Sequence, residues 1–209
     1  MDIEILQMKP KDRYFLMTNM VVPRPIAWIS SMGADGRLNA APFSFFNVMS
    51  ATPPVLGVCI DGRKDTVRHI METKEYVINV VPQEAAEIMN ISAIDFPADI
   101  SEFPQAGLTP KPSRKVKVPG IAESPIQIEC TFRDVLEIGE GKLTSFWVMG
   151  DIVHVQVDDS VWSDGRILFE QLKPLGRLGG SYYTRVNADT LYKMKRIKYA
   201  EWQERQNNE

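Results

Sequence analysis

Three stretches of the chain carry residues that could hold a ligand. Arg24-Pro25-Ile26-Ala27-Trp28-Ile29-Ser30-Ser31 leads into a Gly33-Ala34-Asp35-Gly36 turn. Leu38-Asn39-Ala40-Ala41-Pro42-Phe43-Ser44-Phe45-Phe46-Asn47 returns from it, and Arg63-Lys64-Asp65-Thr66 follows shortly after. Ala40, Ala41 and Ser44 are small, so backbone can come close to a flat ligand, and Pro42 fixes one angle and removes one donor. The remaining backbone N–H groups, with Asn39 and Ser44, can address a ring edge of carbonyls and nitrogens. Phe43, Phe45 and Phe46 supply apolar surface. Lys64 and Thr66 stand where a helix should begin, and a helix start attracts anions through its free N–H groups and dipole. Asp65 would repel an anion, so it is expected to cap the helix or to orient Lys64. Together these residues read as a flat aromatic ligand with an anionic tail, held at the rim of a β-barrel. The plainer reading is a core loop of buried phenylalanines beside a capped surface helix.

The elements that must position these residues are legible as strands and short helices. Pro25 to Ser30 is a strand between prolines and the glycine turn, and Asn39 to Asn47 reads as a loop. Val55-Leu56-Gly57-Val58-Cys59-Ile60 and Tyr76-Val77-Ile78-Asn79-Val80-Val81 are buried strands. Val67, Ile70 and Met71 have helical spacing after an Asp65 cap. Pro82 suits the first turn of a helix carrying Ala85, Ala86, Ile88 and Met89. Asp95 to Pro125 holds six prolines and reads as a long ordered loop, either a lid or interface or a surface excursion. Ile126 to Leu136 alternates, with Ile126, Ile128, Cys130 and Phe132 on one face and Gln127, Glu129, Thr131 and Arg133 on the other. Glu137 to Lys142 is a hairpin connection into a strand from Leu143 to Val157, bent at Gly150. Asp189 to Gln206 reads as a helix, packed through Leu191, Met194 and Tyr199. The pattern is mainly β (α+β), a barrel with short flanking helices and a C-terminal helix. Leu175-Gly176-Arg177-Leu178-Gly179-Gly180 lacks the strand-first glycine fingerprint of a dinucleotide fold.

Composition narrows the class. The 209 residues are 44% hydrophobic and 24% charged, enough for one domain with a sizeable core. A net charge of -3 gives no reason to expect a nucleic-acid or membrane partner. Apolar runs are strand-length, and the first residues show no basic-then-apolar leader, so a cytoplasmic protein is expected. Cys59 and Cys130 sit in separate apolar runs and read as buried free thiols. Two histidines with no Cys/His cluster give no metal site. His69 is expected to face solvent, and His154 to be a core or interface residue. No nucleophile–base pair or carboxylate dyad assigns a catalytic residue.

The order and spacing of these stretches, with the later Pro174-Leu175…Gly179-Gly180-Ser181-Tyr182 run, resemble the flavin reductase-like family. That family's fold is the FMN-binding split barrel. The likeness covers about residues 14 to 185 of a single 1–209 domain and leaves a helical tail, 186–209, unmatched. It implies a flavin site made from Arg24, Ile26, Trp28, Ser30, Ser31, Asn39, Ala41, Ser44, Phe45, Lys64, Asp65 and Thr66. Within that site the hydroxyls after the first strand and the Lys64-Asp65-Thr66 run stand on the phosphate side. Two positions stay open, Trp28 as core or ring wall and Arg24 as anion contact or edge cap. The resemblance further implies FMN, with FAD as an alternative, NADH or NADPH as co-substrate, and a homodimer with flavin near its interface. The expected activity is an NAD(P)H-dependent flavin reductase. A non-enzymatic FMN-binding electron-transfer or carrier protein, and a barrel without flavin, are the alternatives.

Overall fold

The computed structural model describes residues 1–141 and 144–206. Lys142 and Leu143, expected to end a hairpin connection and begin a strand, lie outside the described residues. So do the last three residues of the expected tail, 207–209.

In chain order the strands are β1 (Arg24–Pro25), β2 (Ala27–Met32), β3 (Leu38–Phe43), β4 (Phe46–Ala51), β5 (Pro54–Asp61), β6 (Glu75–Val80), β7 (Pro110–Lys111), β8 (Gly120–Ile121), β9 (Ile126–Ile138), β10 (Ser145–Val157), β11 (Trp162–Ser163), β12 (Arg166–Ile167), β13 (Leu175–Arg177) and β14 (Tyr183–Arg185). The helices are α1 (Pro10–Met20), α2 (Asp65–Thr73), α3 (Ala86–Ile91), α4 (Glu102–Gln105), α5 (Phe169–Leu172) and α6 (Tyr199–Gln206). Seven strands form one antiparallel sheet in the order β3-β2-β6-β9-β10-β5-β4. A second sheet, β1-β13-β14, ties the start of the β2 strand to the late glycine-rich segment.

The β2–β3 hairpin follows its sequence signal. Gly36 takes φ +83°, a left-handed angle that glycine adopts without strain, and Gly33 N–H donates to Arg37 O at 2.9 Å. The expected loop at Asn39 to Asn47 is instead two strands, β3 and β4, with Ser44 and Phe45 between them. Ladder hydrogen bonds to β2 and β5 absorb backbone that composition alone had suggested was free.

The two faces of the sheet carry separate cores. On one, Ala27, Ile29, Val58, Ile60, Ile78, Phe146 and Val148 form a core against which α2 lays Val67 and Ile70. Tyr76 is buried there under Gly150, where the β9–β10 register shifts and a Cβ would lie 2.1 Å from the Tyr76 hydroxyl. On the other face, Trp28, Ala40, Met89, Phe103, Leu108 and Ile121 make a second core. The proline-rich stretch supplies much of that second core, so it is neither a surface excursion nor a free lid. Three polar side chains bind it to the sheet. Asn79 accepts from Ile121 N–H at 2.8 Å, Gln127 accepts from Lys111 Nζ at 2.9 Å, and Glu129 accepts from Arg114 and Lys115 N–H at 2.8 and 2.6 Å. Gln127 and Glu129 are therefore buried rather than on an open face. Burial pushes the Glu129 carboxyl up, but those N–H donors outweigh it and hold the group below its ordinary value.

The tail departs from expectation. Among its described residues only a 3-10 turn at Ala188–Thr190 and the last turns, α6, are helical, and Leu191, Met194 and Tyr199 are 39%, 81% and 70% exposed. A helix of eight residues gains little on its own, and these apolar side chains meet no core. No helix among the described residues is long and apolar enough to cross a membrane.

Candidate functional site

A groove runs along the outer edge of β3 and the β3–β4 turn. Two adjoining cavities of about 380 and 290 Å³ share Pro42, Phe43, Lys64 and Ala93. Combined they are of the size that ordinarily takes a small molecule.

One end is polar and is built by the start of α2. Lys64 occupies the cap position and Asp65 is the first helical residue, a shift of one from the expected cap. The Asp65 carboxylate pairs with Arg68 at 2.7 Å, one turn on, and not with Lys64. Its charge still suits a helix start. Lys64 Nζ instead reaches across the groove to Asp95 at 2.8 Å. The first-turn N–H groups of α2 have no intrahelical acceptor, and Lys64, Asp65 and Thr66 of that turn line this end. Thr66 and Asn39 form its floor, with Asn39 Nδ2 donating to Thr66 Oγ1 at 3.0 Å. Glu102 closes it from the proline-rich stretch and accepts Ala40 N–H at 3.1 Å. Burial raises the Glu102 carboxyl above its ordinary value.

The other end is aromatic and cationic. Tyr14 and Phe45 rings lie 6.3 Å apart, and the Arg24 guanidinium sits 5.8 Å from the Phe45 ring. Arg177 stacks over Tyr183 at 4.4 Å. Ala41 and Pro42 lie between the two ends, with Ile26 and Ser44 at the aromatic end. Cys59 stands beside them, its thiol pushed up by burial and by Asp61.

Of the twelve residues expected at the ligand, nine line this groove: Arg24, Ile26, Asn39, Ala41, Ser44, Phe45, Lys64, Asp65 and Thr66. Three do not. Trp28 is fully buried and donates its indole N–H to Ser92 Oγ at 2.9 Å, so it is core and not a ring wall. Ser30 is fully buried and donates to Pro119 O at 2.7 Å. Ser31 lies in a layer beneath the groove, 3.4 Å from Asn39 Nδ2 and 3.4 Å from His69 Nδ1. His69 is itself buried, against the expectation of a solvent-facing residue. Arg24 lines the groove, with its guanidinium engaged inside the protein. It is 6% exposed and donates to Ser44 Oγ and to the carbonyls of Thr18, Val21 and Leu178, a clamp that joins α1, β1 and the late glycine segment.

Sequence reasoning missed Tyr14, Phe15, Glu102, Asp95 and Arg177. Tyr14 and Thr18 are one helical turn apart, so α1 presents them together to the groove; that spacing was a usable signal. Nothing local in the sequence announces that Glu102 and Asp95 return to α2.

A family model described as flavin reductase like domain matches residues 17–175. An uncharacterized protein of Halalkalibacterium halodurans is 42% identical over 180 residues, covering 83% of this chain and 86% of the relative. Among solved structures, nitrilotriacetate monooxygenase component B from Bacillus cereus is 32% identical, with a TM-score of 0.89 over 93% of this chain and 98% of that one. A split-barrel-domain protein of Shewanella frigidimarina is 25% identical, with a TM-score of 0.79 over 93% of this chain and 96% of that one.

Proposed function

The chain belongs to the flavin reductase-like family and has its split-barrel fold, and on that footing we propose that it is an FMN-binding oxidoreductase, working as an NAD(P)H-dependent flavin reductase. One observation carries the reading. The groove joins a cationic helix start to an aromatic wall through a strand edge of small residues, which is the donor set a flat ring with a phosphate tail requires. Lys64 and the first turn of α2 would hold the phosphate, Ala41 and Pro42 would lie along the ring, and Phe45 and Tyr14 would flank its far end. FAD is the alternative nucleotide.

When bound, a flavin supplies the redox chemistry, taking a hydride from NADH or NADPH and passing electrons on. The chain's own part is placement. Strand β3 is held rigid by its ladder to β2 and by Glu102 on Ala40 N–H, so the groove floor is set before a ligand arrives. The Arg24 clamp fixes the β3–β4 turn against α1. Holding two rings in register is a large share of such a reaction's acceleration. The reading extends to a cytoplasmic homodimer with the groove near the subunit interface.

The test is the visible spectrum of the purified protein, followed by steady-state oxidation of NADH and NADPH with added FMN. A yellow protein that oxidises either nucleotide supports the reductase. A yellow protein that oxidises neither moves the reading to an electron-transfer or carrier protein. A colourless protein that does not take up added FMN contradicts both.

A further inference from the structure

A buried acid stands at the polar end of the groove without a cation of its own. Glu102 is 8% exposed and lines that end with Asn39, Lys64 and Thr66. Its Oε2 accepts Ala40 N–H at 3.1 Å. Among the described residues no Lys, Arg or His nitrogen lies within 4.0 Å of its carboxylate. The other charged groups at this end are Arg63, Lys64, Asp65 and Asp95. Asp65 pairs with Arg68 and Lys64 with Asp95, while the Arg63 side chain is 81% exposed and only 4.0 Å from Glu137. A buried carboxylate that no cation neutralises is unfavourable in its charged form.

The carboxyl is held in place from both sides. Glu102 opens α4, where Ser101 Oγ accepts Phe103 N–H at 3.3 Å and the Phe103 ring is buried in the second core. Across the groove, Ala40 is fixed by the β2–β3 ladder. A phosphate brought to Lys64 and the start of α2 adds up to two negative charges beside this group. An ionised Glu102 would repel it. The acid form gains a partner instead, because a protonated carboxyl has one O–H to give while its other oxygen still accepts Ala40 N–H. Burial already raises the carboxyl against the pull of its own and the Ala40 N–H, and Asp65 adds to the rise.

We infer that Glu102 binds the ligand's phosphate as a protonated acid, donating its O–H to a phosphate oxygen, so that nucleotide binding takes up a proton. The inference rests on the flavin reading of the groove, which puts a phosphate at Lys64. The proton comes from solvent and stays on the carboxyl; no covalent bond to the ligand forms or breaks. A flavin without a phosphate takes up none.

Glu102→Gln is the neutral stand-in for the acid, since its amide N–H donates to the phosphate and its oxygen accepts Ala40 N–H. Glu102→Ala can do neither. FMN and riboflavin are titrated into flavin-free wild type and both variants between about pH 5.5 and 8.5, a span that brackets the phosphate's own ionisation near about pH 6. That ionisation is common to all three proteins and cancels in their ratios. Wild type and Glu102→Gln should bind FMN alike at the acid end. Toward alkaline pH wild type should fall behind, by up to about tenfold per pH unit, the limit for one proton. Calorimetry in two buffers of different ionisation enthalpy should count more protons taken up by wild type than by Glu102→Gln. Glu102→Ala should bind FMN about tenfold weaker than Glu102→Gln, for want of the donor. Riboflavin should show neither the pH difference nor the loss. A wild-type to Glu102→Gln ratio that stays flat with pH overturns the inference, and Glu102→Gln keeps the Ala40 contact, so this arm stands if Glu102→Ala does not fold. Equal effects on FMN and riboflavin also overturn it, by assigning Glu102 to the ribityl chain or to the strand. In both cases the flavin reading stands. If wild type takes up neither flavin, both fall.

Discussion

His69 lies beneath the groove's polar end and reaches it through Ser31, Asn39 and Thr66, all buried. Burial first, and then the Arg68 guanidinium beside it, hold the imidazole below its ordinary 6.5, against the pull of Asp65, Glu72 and Asp35. In the unfolded chain His69 takes up its proton first, so between the two values the unfolded state binds more protons and stability rises with pH. The contribution is complete above about pH 6.5 and is lost as pH falls through the lower, folded value. Glu102 works in the opposite sense, since its raised carboxyl favours the protonated fold. Comparing wild type with His69→Gln cancels that second effect. Denaturant midpoints at pH 7.5 and 5.5 should show wild type losing more stability than His69→Gln on acidification; equal losses would refute the account of His69. The burial of His69 had a signal in the sequence, for Thr66, His69, Ile70 and Thr73 form one helical stripe. That of Trp28 and Ser30 had none, because the layer that covers them arrives from residues 85–121.

The elements were more legible than the side chains. Apolar runs marked β5 and β6, alternation marked β9, and the glycine turn marked the β2–β3 hairpin, because strand formation depends on local pattern. The α2 start was also readable, although its cap is Lys64 and not Asp65. Two elements were misjudged for one physical reason, that a tertiary partner decides. The proline-rich stretch forms only short elements, α4 and the β7–β8 pair, and is held to the sheet by Asn79, Gln127 and Glu129 reaching out of it. The expected C-terminal helix has helical spacing but no surface to pack on within this chain, so only α6 forms.

At the scale of the whole molecule, apolar surface remains unpaired. Val48, Leu136 and Ile138 on the sheet are 65%, 55% and 53% exposed, and Tyr192 and Met194 in the tail are 79% and 81% exposed. A subunit interface in the proposed homodimer would cover side chains of this kind. If two subunits complete the groove, FMN favours the dimer by linkage, and flavin affinity should fall when the protein is diluted below its dimer dissociation constant. Sedimentation with flavin fluorescence across a dilution series tests this, and a monomer that holds FMN with undiminished affinity would exclude a shared site. The central claim is narrower: the groove holds a flavin nucleotide with its phosphate at Lys64. Titration of wild type and Lys64→Ala with FMN and with riboflavin tests it most directly, because riboflavin lacks the phosphate. A charge-assisted contact is worth about 1.5–3 kcal/mol, and the low end applies here, since the Lys64 side chain is 47% exposed and must first leave Asp95. The account predicts that Lys64→Ala weakens FMN about tenfold and leaves riboflavin unchanged. Equal weakening of both ligands, or none of either, would contradict it.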